Sequence, residues 1–219
     1  MADFRFDIIA EYAHFFMTGT LLTIGLSMAG VFFGSVLGLI IALGEMLENK
    51  YIAFIFKAYV GFFRGTPLFV QILIIYFGVI PAIAGHTNGI VSAIVALSMN
   101  AGAYIAETIR AGIQSIHRGQ VEASRSLGMN KFQAMRFVIL PQAIRRILPP
   151  LGNEFISLIK DSSLASTIAT PELMYWSQAM NAQYYRVWES YISVAMIYLF
   201  LTLSASYILK RFERKVPVK

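Results

Sequence analysis

The sequence predicts an all-α integral membrane protein with five transmembrane helices, and three observations predict it. The first is composition: 57% of the residues are hydrophobic and 14% are charged, against about 45–50% and about 25% in ordinary soluble domains. The second is the spacing of charge. No charged residue occurs between Glu11 and Glu45, between Arg64 and Glu107, or between Glu189 and Lys210, and about 20 apolar residues suffice to cross about 30 Å of hydrocarbon. The third is the placement of the positive residues, which gather in short segments between the apolar runs, as in proteins that orient themselves in a bilayer. This composition excludes disorder and argues against a soluble enzyme. The absence of cysteine excludes disulfides, thiolate metal sites and cysteine nucleophiles.

The N-terminus opens with Asp3, Arg5, Asp7 and Glu11, unlike the basic start of a cleavable signal peptide. Residues 4–16 read as an amphipathic entry helix at the interface. The first span covers about residues 16–43. Pro67, whose missing N–H is unpaired at a helix start anyway, introduces the second, residues 68–83. Pro81, Gly85, His86, Thr87, Asn88 and Gly89 form a turn cluster. The third span covers residues 90–113. A basic connection, residues 114–141, contains a helix over 121–127 stopped by Gly128 and a second over 132–140 ended by Pro141. The fourth span, residues 148–168, is poorly apolar and carries Glu154, Lys160 and Asp161, with Pro149 and Pro150 limiting its helical run. The fifth covers residues 190–209. The whole chain, residues 1–219, reads as one transmembrane domain without internal repeats.

Five crossings place Glu45–Arg64, Arg110–Arg146 and Lys210–Lys219 on one side. These segments hold fifteen of the 18 positive residues, whereas the other side has only Arg5 and Arg186, and Lys160 lies within a span. The positive-inside rule makes the rich side cytoplasmic, with the N-terminus outside and the C-terminus inside. No basic stripe with aromatic platforms suggests nucleic acid.

Catalytic motifs are missing. There is no G-x-x-x-x-G-K-[ST] or G-x-G-x-x-G to cradle a nucleotide, and His14, His86 and His117 lie in separate segments, which leaves no metal site. Gly25-Leu26-Ser27-Met28-Ala29 faintly echoes a nucleophile turn, but no histidine within a span supplies a base. Gly30, Gly34 and Gly38, extended by Ser27 and Thr23, form a small-residue face suited to close helix approach, either within the chain or between subunits. Arg64-Gly65-Thr66-Pro67-Leu68 reads as a snorkelling arginine before a helix start or as a loop fixed near a pathway.

Glu122-Ala123-Ser124, Gly128 and Val138-Ile139-Leu140-Pro141 resemble the EAA loop, E-A-A-x3-G-x9-I-x-L-P, of ABC importer permeases, with Ser124 and Val138 as mild departures. The Arg64–Leu68 motif, Gly119-Gln120, Leu140-Pro141-Gln142-Ala143 and Lys160-Asp161-Ser162-Ser163-Leu164 look like the polar amino-acid uptake branch. The resemblance covers about residues 15–210. It implies the type I importer fold in a bacterial cytoplasmic membrane, with a second permease subunit, two cytoplasmic ATPases and an extracytoplasmic solute-binding protein. It also implies no cofactor in this chain, ATP and magnesium belonging to the ATPases. Arg118, Gly119, Glu122, Ala123, Ser124, Leu127 and Gly128 would form the helix that couples to an ATPase.

The polar residues of the fourth span then become the candidate solute site. At about 100° per residue, Asn153, Glu154, Ser157, Lys160 and Asp161 share one arc. Charges near a bilayer centre cost at least about 2.5–3.5 kcal/mol each, so the arc must face protein or water. Ala96, Asn100, Ala103, Tyr104, Glu107 and Ala111 line one side of the third span. Asn100, Tyr104, Glu154 and Ser157 are expected to contact the solute, and Lys160 and Asp161 either to meet its ionic groups or to neutralise each other. The alternative is that the stripe cements a subunit interface. An acid on the path favours basic amino acids. A stand-alone ion-coupled transporter, with Glu154 or Glu107 as a proton site, is the rival reading.

Overall fold

The computed structural model describes residues 4–213. Asp3, Arg214, Lys215 and Lys219, used above in the charge argument, lie outside the described residues. Ten α-helices follow one another, and no strand occurs among the described residues. They are α1 (Phe6–Glu45), α2 (Lys50–Gly65), α3 (Leu68–Ile74), α4 (Ile80–Ala84) and α5 (Gly89–Gln114), then α6 (Arg118–Ser126), α7 (Lys131–Ala134), α8 (Leu140–Asp161), α9 (Leu173–Tyr184) and α10 (Val187–Glu213). By length and apolar composition α1, α5 and α10 can each cross a membrane. The pair α2 and α3–α4, bent by 109° at Gly65–Pro67, is apolar enough for a fourth span or a re-entrant pair.

Helix α1 is continuous from Phe6, so the separate entry helix expected over residues 4–16 is absent. Nothing in Ile8–Phe16 breaks the helix, because its inner face (Ile8, Tyr12 and Phe16) finds cover against Leu173, Met180 and Val194. Its 40 residues span about 60 Å.

The seam between α1 and α5 holds the bundle together. A methyl group placed on Gly34 would come within 2.9 Å of the Ala101 Cβ, and one on Gly38 within 2.9 Å of the Gly102 carbonyl oxygen. The small-residue face is therefore spent inside the chain, where it allows the dispersion contacts that bind helices in lipid. Leu26, Ile72, Leu97, Ala101, Ile105 and Leu158 fill the centre behind it.

Proline does not end the helices as expected. A π-helical turn, Ile75–Val79, precedes Pro81, and another, Met135–Ile139, precedes Pro141. In both, the residue before proline donates its N–H five residues back, Ile80 to the Ile75 oxygen and Leu140 to the Met135 oxygen. A proline ring collides with the carbonyl four residues earlier. One extra residue in the turn moves that carbonyl aside and lets the helix continue. Pro149 and Pro150 also lie inside α8 rather than bounding it. Helices packed among neighbours in a membrane tolerate such residues.

The ends of the bundle are distinguishable. At one end the Arg5 backbone N–H donates to Glu189 at 3.1 Å, which joins the starts of α1 and α10. At the other, Glu45 at the end of α1 lies 3.5 Å from Arg110 near the end of α5. Helix α6 hangs from this second end.

Candidate functional site

Helices α5 and α8 pack side by side in opposite directions, and the corner between α2 and α3 leans onto them. A cavity of about 400 Å³ opens where the three meet, lined by Thr66, Pro67, Leu68, Asn100, Tyr104, Glu154, Ser157 and Asp161. Five of the six expected solute residues are thus brought together: Asn100 and Tyr104 from α5, and Glu154, Ser157 and Asp161 from α8. Lys160 is not; it is exposed and lies outside the cavity wall. At the flank of the polar arc, one residue's rotation is enough to turn it away. Among the described residues Lys160 and Asp161 make no contact ion pair.

The cavity wall is acidic. Glu154 and Asp161 lie seven positions apart on α8, two helical turns, and Ser157 sits between them. Asn100 is less free than its sequence suggests. Its Nδ2 donates to Gln71 Oε1 at 2.9 Å and to the Phe63 carbonyl at 3.4 Å. Gln71 in turn donates to the Phe63 carbonyl at 2.9 Å, the Thr66 carbonyl at 3.1 Å and Thr66 Oγ1 at 2.9 Å. The end of α2 has no following helical turn to take up its carbonyls, and this amide supplies the missing donors. Gln71 thus pins the corner that brings Thr66, Pro67 and Leu68 to the cavity. The sequence reading overlooked it. The available signal was a lone amide in an otherwise apolar run, which lipid would not tolerate unpaired.

Glu172 was also overlooked. It is fully buried and caps α9 by accepting from the Tyr175 N–H at 2.8 Å. It also accepts from Tyr198 at 2.7 Å and from Thr23 at 3.4 Å, which ties α9 to α10 and α1. Glu107 contacts two arginines: Arg110 Nε at 3.1 Å and Arg64 Nη1 at 3.7 Å.

Below the bundle, α6 carries the residues expected to couple to an ATPase. His117 caps it, accepting from the Gly119 N–H at 3.1 Å. Its far end closes with Gly128 N–H on the Arg125 carbonyl at 2.9 Å and Met129 N–H on the Ser124 carbonyl at 3.1 Å, the Schellman pattern. That pattern needs a left-handed residue, and Gly128 has φ of +82°. Arg118, Glu122, Ala123 and Leu127 are exposed, Leu127 to 79%. Gly119 is half-buried and Ser124 is buried. The small side chain of Ser124 lets α6 approach its own bundle, so of the two small residues only Ala123 lies on the outer face. Gln142 fixes α6 to α8 by donating to Gln120 Oε1 at 3.2 Å, and Ile116, Ile139, Ala143 and Ile147 cluster beneath it.

An acid-lined cavity among membrane-length apolar helices, with an amphipathic helix slung beneath, defines a subunit of a membrane transport system. The chain belongs to the family of binding-protein-dependent transport system inner membrane components, which matches residues 30–218. It is similar to the probable glutamine ABC transporter permease protein GlnM of Bacillus subtilis, 41% identical over 89% of this chain and 90% of that protein. It is 37% identical to the glutamine transport system permease protein GlnP of Escherichia coli, over 91% and 92% of the two chains. A crystal structure of an amino acid ABC transporter with histidines matches with a TM-score of 0.92 and 41% identity, over 97% of this chain and 99% of that one. The MetNI methionine ABC transporter, 23% identical with a TM-score of 0.80 over 94% and 98% of the chains, shares the fold. The chain is therefore a permease subunit of an amino-acid ABC importer, an inner-membrane component rather than an enzyme.

Proposed function

We propose that this permease moves polar L-amino acids with a cationic side chain by alternating access, and that its solute site is the cavity lined by Asn100, Tyr104, Glu154, Ser157 and Asp161. The observation that carries this reading is the pair of carboxyl groups on one wall, with no basic residue lining the cavity. An amino acid with a basic side chain brings two cationic groups, one for each acid, and opposite charge compensates what burial in a low dielectric would otherwise cost. The Ser157 and Tyr104 hydroxyls are donors for its carboxylate. The names of the relatives favour a second solute, glutamine, whose side-chain amide can donate to the same acids.

Five crossings are proposed: α1, α3–α4, α5, α8 and α10, with the N-terminus outside and the C-terminus cytoplasmic. The starts of α1 and α10 share one end of the bundle, and the basic connections share the other, which supports this orientation. In the assembly proposed here, a second permease subunit completes the pathway, and an extracytoplasmic binding protein delivers the solute. Two ATPases, which hold the ATP and magnesium, dock on α6 through Arg118, Gly119, Glu122, Ala123, Leu127 and the turn at Gly128. Ser124 supports the helix from behind, and Lys160 is assigned to subunit contact.

The deciding experiment is uptake of an amino-acid panel by the reconstituted complex, wild type and Glu154→Gln. Selective loss of cationic solutes supports the charge match. Equal loss of neutral and cationic solutes refutes it, and retained glutamine uptake with no cationic uptake in the wild type selects the second reading. Uptake driven by an ion gradient without nucleotide would restore the stand-alone rival.

A further inference from the structure

The solute cavity uses the Arg64–Leu68 motif only through Thr66, Pro67 and Leu68. Arg64 itself faces elsewhere. A second cavity of about 400 Å³ lies further along the same α5–α8 groove toward α6, bounded by Glu107, Thr108, Ala111, Ser115, Arg146 and Pro150. Along α5 the order is Asn100, Tyr104, Glu107, Ala111; along α8, running the other way, it is Asp161, Ser157, Glu154, Pro150, Arg146. The two cavities are therefore stacked in one groove.

The layer between them is built from three side chains. Tyr104 belongs to the wall of the first cavity and Glu107 to that of the second. They are three residues apart and so lie on one helix face. Arg64 reaches across from the end of α2. Its Cζ lies 5.5 Å from the Tyr104 ring centroid and its Nη1 3.7 Å from Glu107 Oε2. Arg110 holds Glu107 from the other side, and Arg110 is itself 3.5 Å from the largely buried Glu45 at the end of α1. Two arginines and two glutamates thus balance in charge across α1, α2 and α5.

We propose that Arg64 is a positioning residue that holds the Tyr104 ring across the groove, separating the solute cavity from a second chamber that serves as the exit vestibule. The inference rests on the solute-cavity reading above. A guanidinium can lie flat on an aromatic ring while its edge faces a carboxylate, which a lysine ammonium cannot do. Held by Arg64, the Tyr104 ring stands between the two cavities, so passage of a solute toward α6 requires Arg64 to release it. Arg64 sits immediately before the 109° corner, so a change in the angle between α2 and α3 would swing it away.

The chain contains no cysteine, so Ser157→Cys places a single thiol in the first cavity and Thr108→Cys one in the second. In proteoliposomes holding the complete complex, a charged, membrane-impermeant maleimide is supplied on the face that bears α6. The expected result is slow labelling at 157 with Arg64 present, roughly tenfold faster labelling in Arg64→Ala, as loss of one contact of this class allows, and an intermediate rate in Arg64→Lys. Labelling at 108 should be equal in both backgrounds. Equal rates at 157 with and without Arg64 would overturn the proposal. So would an equal acceleration at 108, which marks general loosening of the bundle. Protection of the thiol at 157 by saturating amino acid tests the cavity reading separately: its absence removes that reading while leaving the Arg64 dependence measurable.

Discussion

Helix α5 has two working faces, and they are built on opposite principles. Toward α1 it offers Ala101, Gly102 and Ile105 to Gly34 and Gly38, with backbones close enough that no further carbon fits. Toward α8 it offers Asn100, Tyr104 and Glu107 and leaves two cavities. The first face is closed by shape alone. The second keeps polar groups apart, so that they hold one another only through Gln71, Arg64 and Arg110. A transport subunit needs both. The closed seam gives the groove a fixed wall, and the open groove can exchange partners without unpacking the seam.

Breaking the closed face should have the largest effect. Gly38→Leu forces a side chain against Gly102 and Ile105, and overpacking of this kind costs about 1–3 kcal/mol or more. The expected outcome is loss of folded subunit, read as thermal stability of the purified complex. Next comes the coupling end. Gly128→Val puts a β-branched residue at positive φ, a strain of about 1–2 kcal/mol; it should abolish uptake while the assembled complex is still recovered, and unchanged uptake would count against docking at α6. Removing one charge from the open face should do less. Glu154→Gln should lower cationic uptake about tenfold, roughly 1.4 kcal/mol, with thermal stability unchanged. Gln71→Leu leaves the Phe63 and Thr66 carbonyls short of a donor, a penalty of about 1–3 kcal/mol. This should appear as a weaker half-saturation for every solute, because the corner rather than a charge is lost. The smallest effect is expected at Lys160→Gln, where an exposed substitution should leave half-saturation within about twofold; a larger change would return Lys160 to the site.

These contrasts also explain what was legible in the sequence. Helical periodicity alone gathered Glu154, Ser157 and Asp161 on one face and set Asn100 and Tyr104 opposite, because membrane burial punishes any other arrangement of those residues. Lys160 lies off the cavity wall, which sequence could not foresee, because an arc drawn at about 100° per residue does not resolve which flank turns into a groove. Gln71 and Glu172 were missed because each acts alone: a single amide or acid has no period, and its value lies in carbonyls and hydroxyls from distant segments. Pro141 was misread because the rule that proline stops a helix omits the wide turn that accommodates it. The Gly30–Gly34–Gly38 face was legible as a contact, but only the folded chain assigns it to α5.

The two π-helical turns give the bundle an uneven stiffness. The stretches through Pro81 and Pro141 each contain one loosened joint, at the level where α3 passes into α4 and α7 into α8. Helix α1 has none over its whole length and is locked to α5. On the coupling proposed above, a pull on α6 would flex the jointed rods around an unbending post, and the parts that pivot would release the solute while their frame stands still.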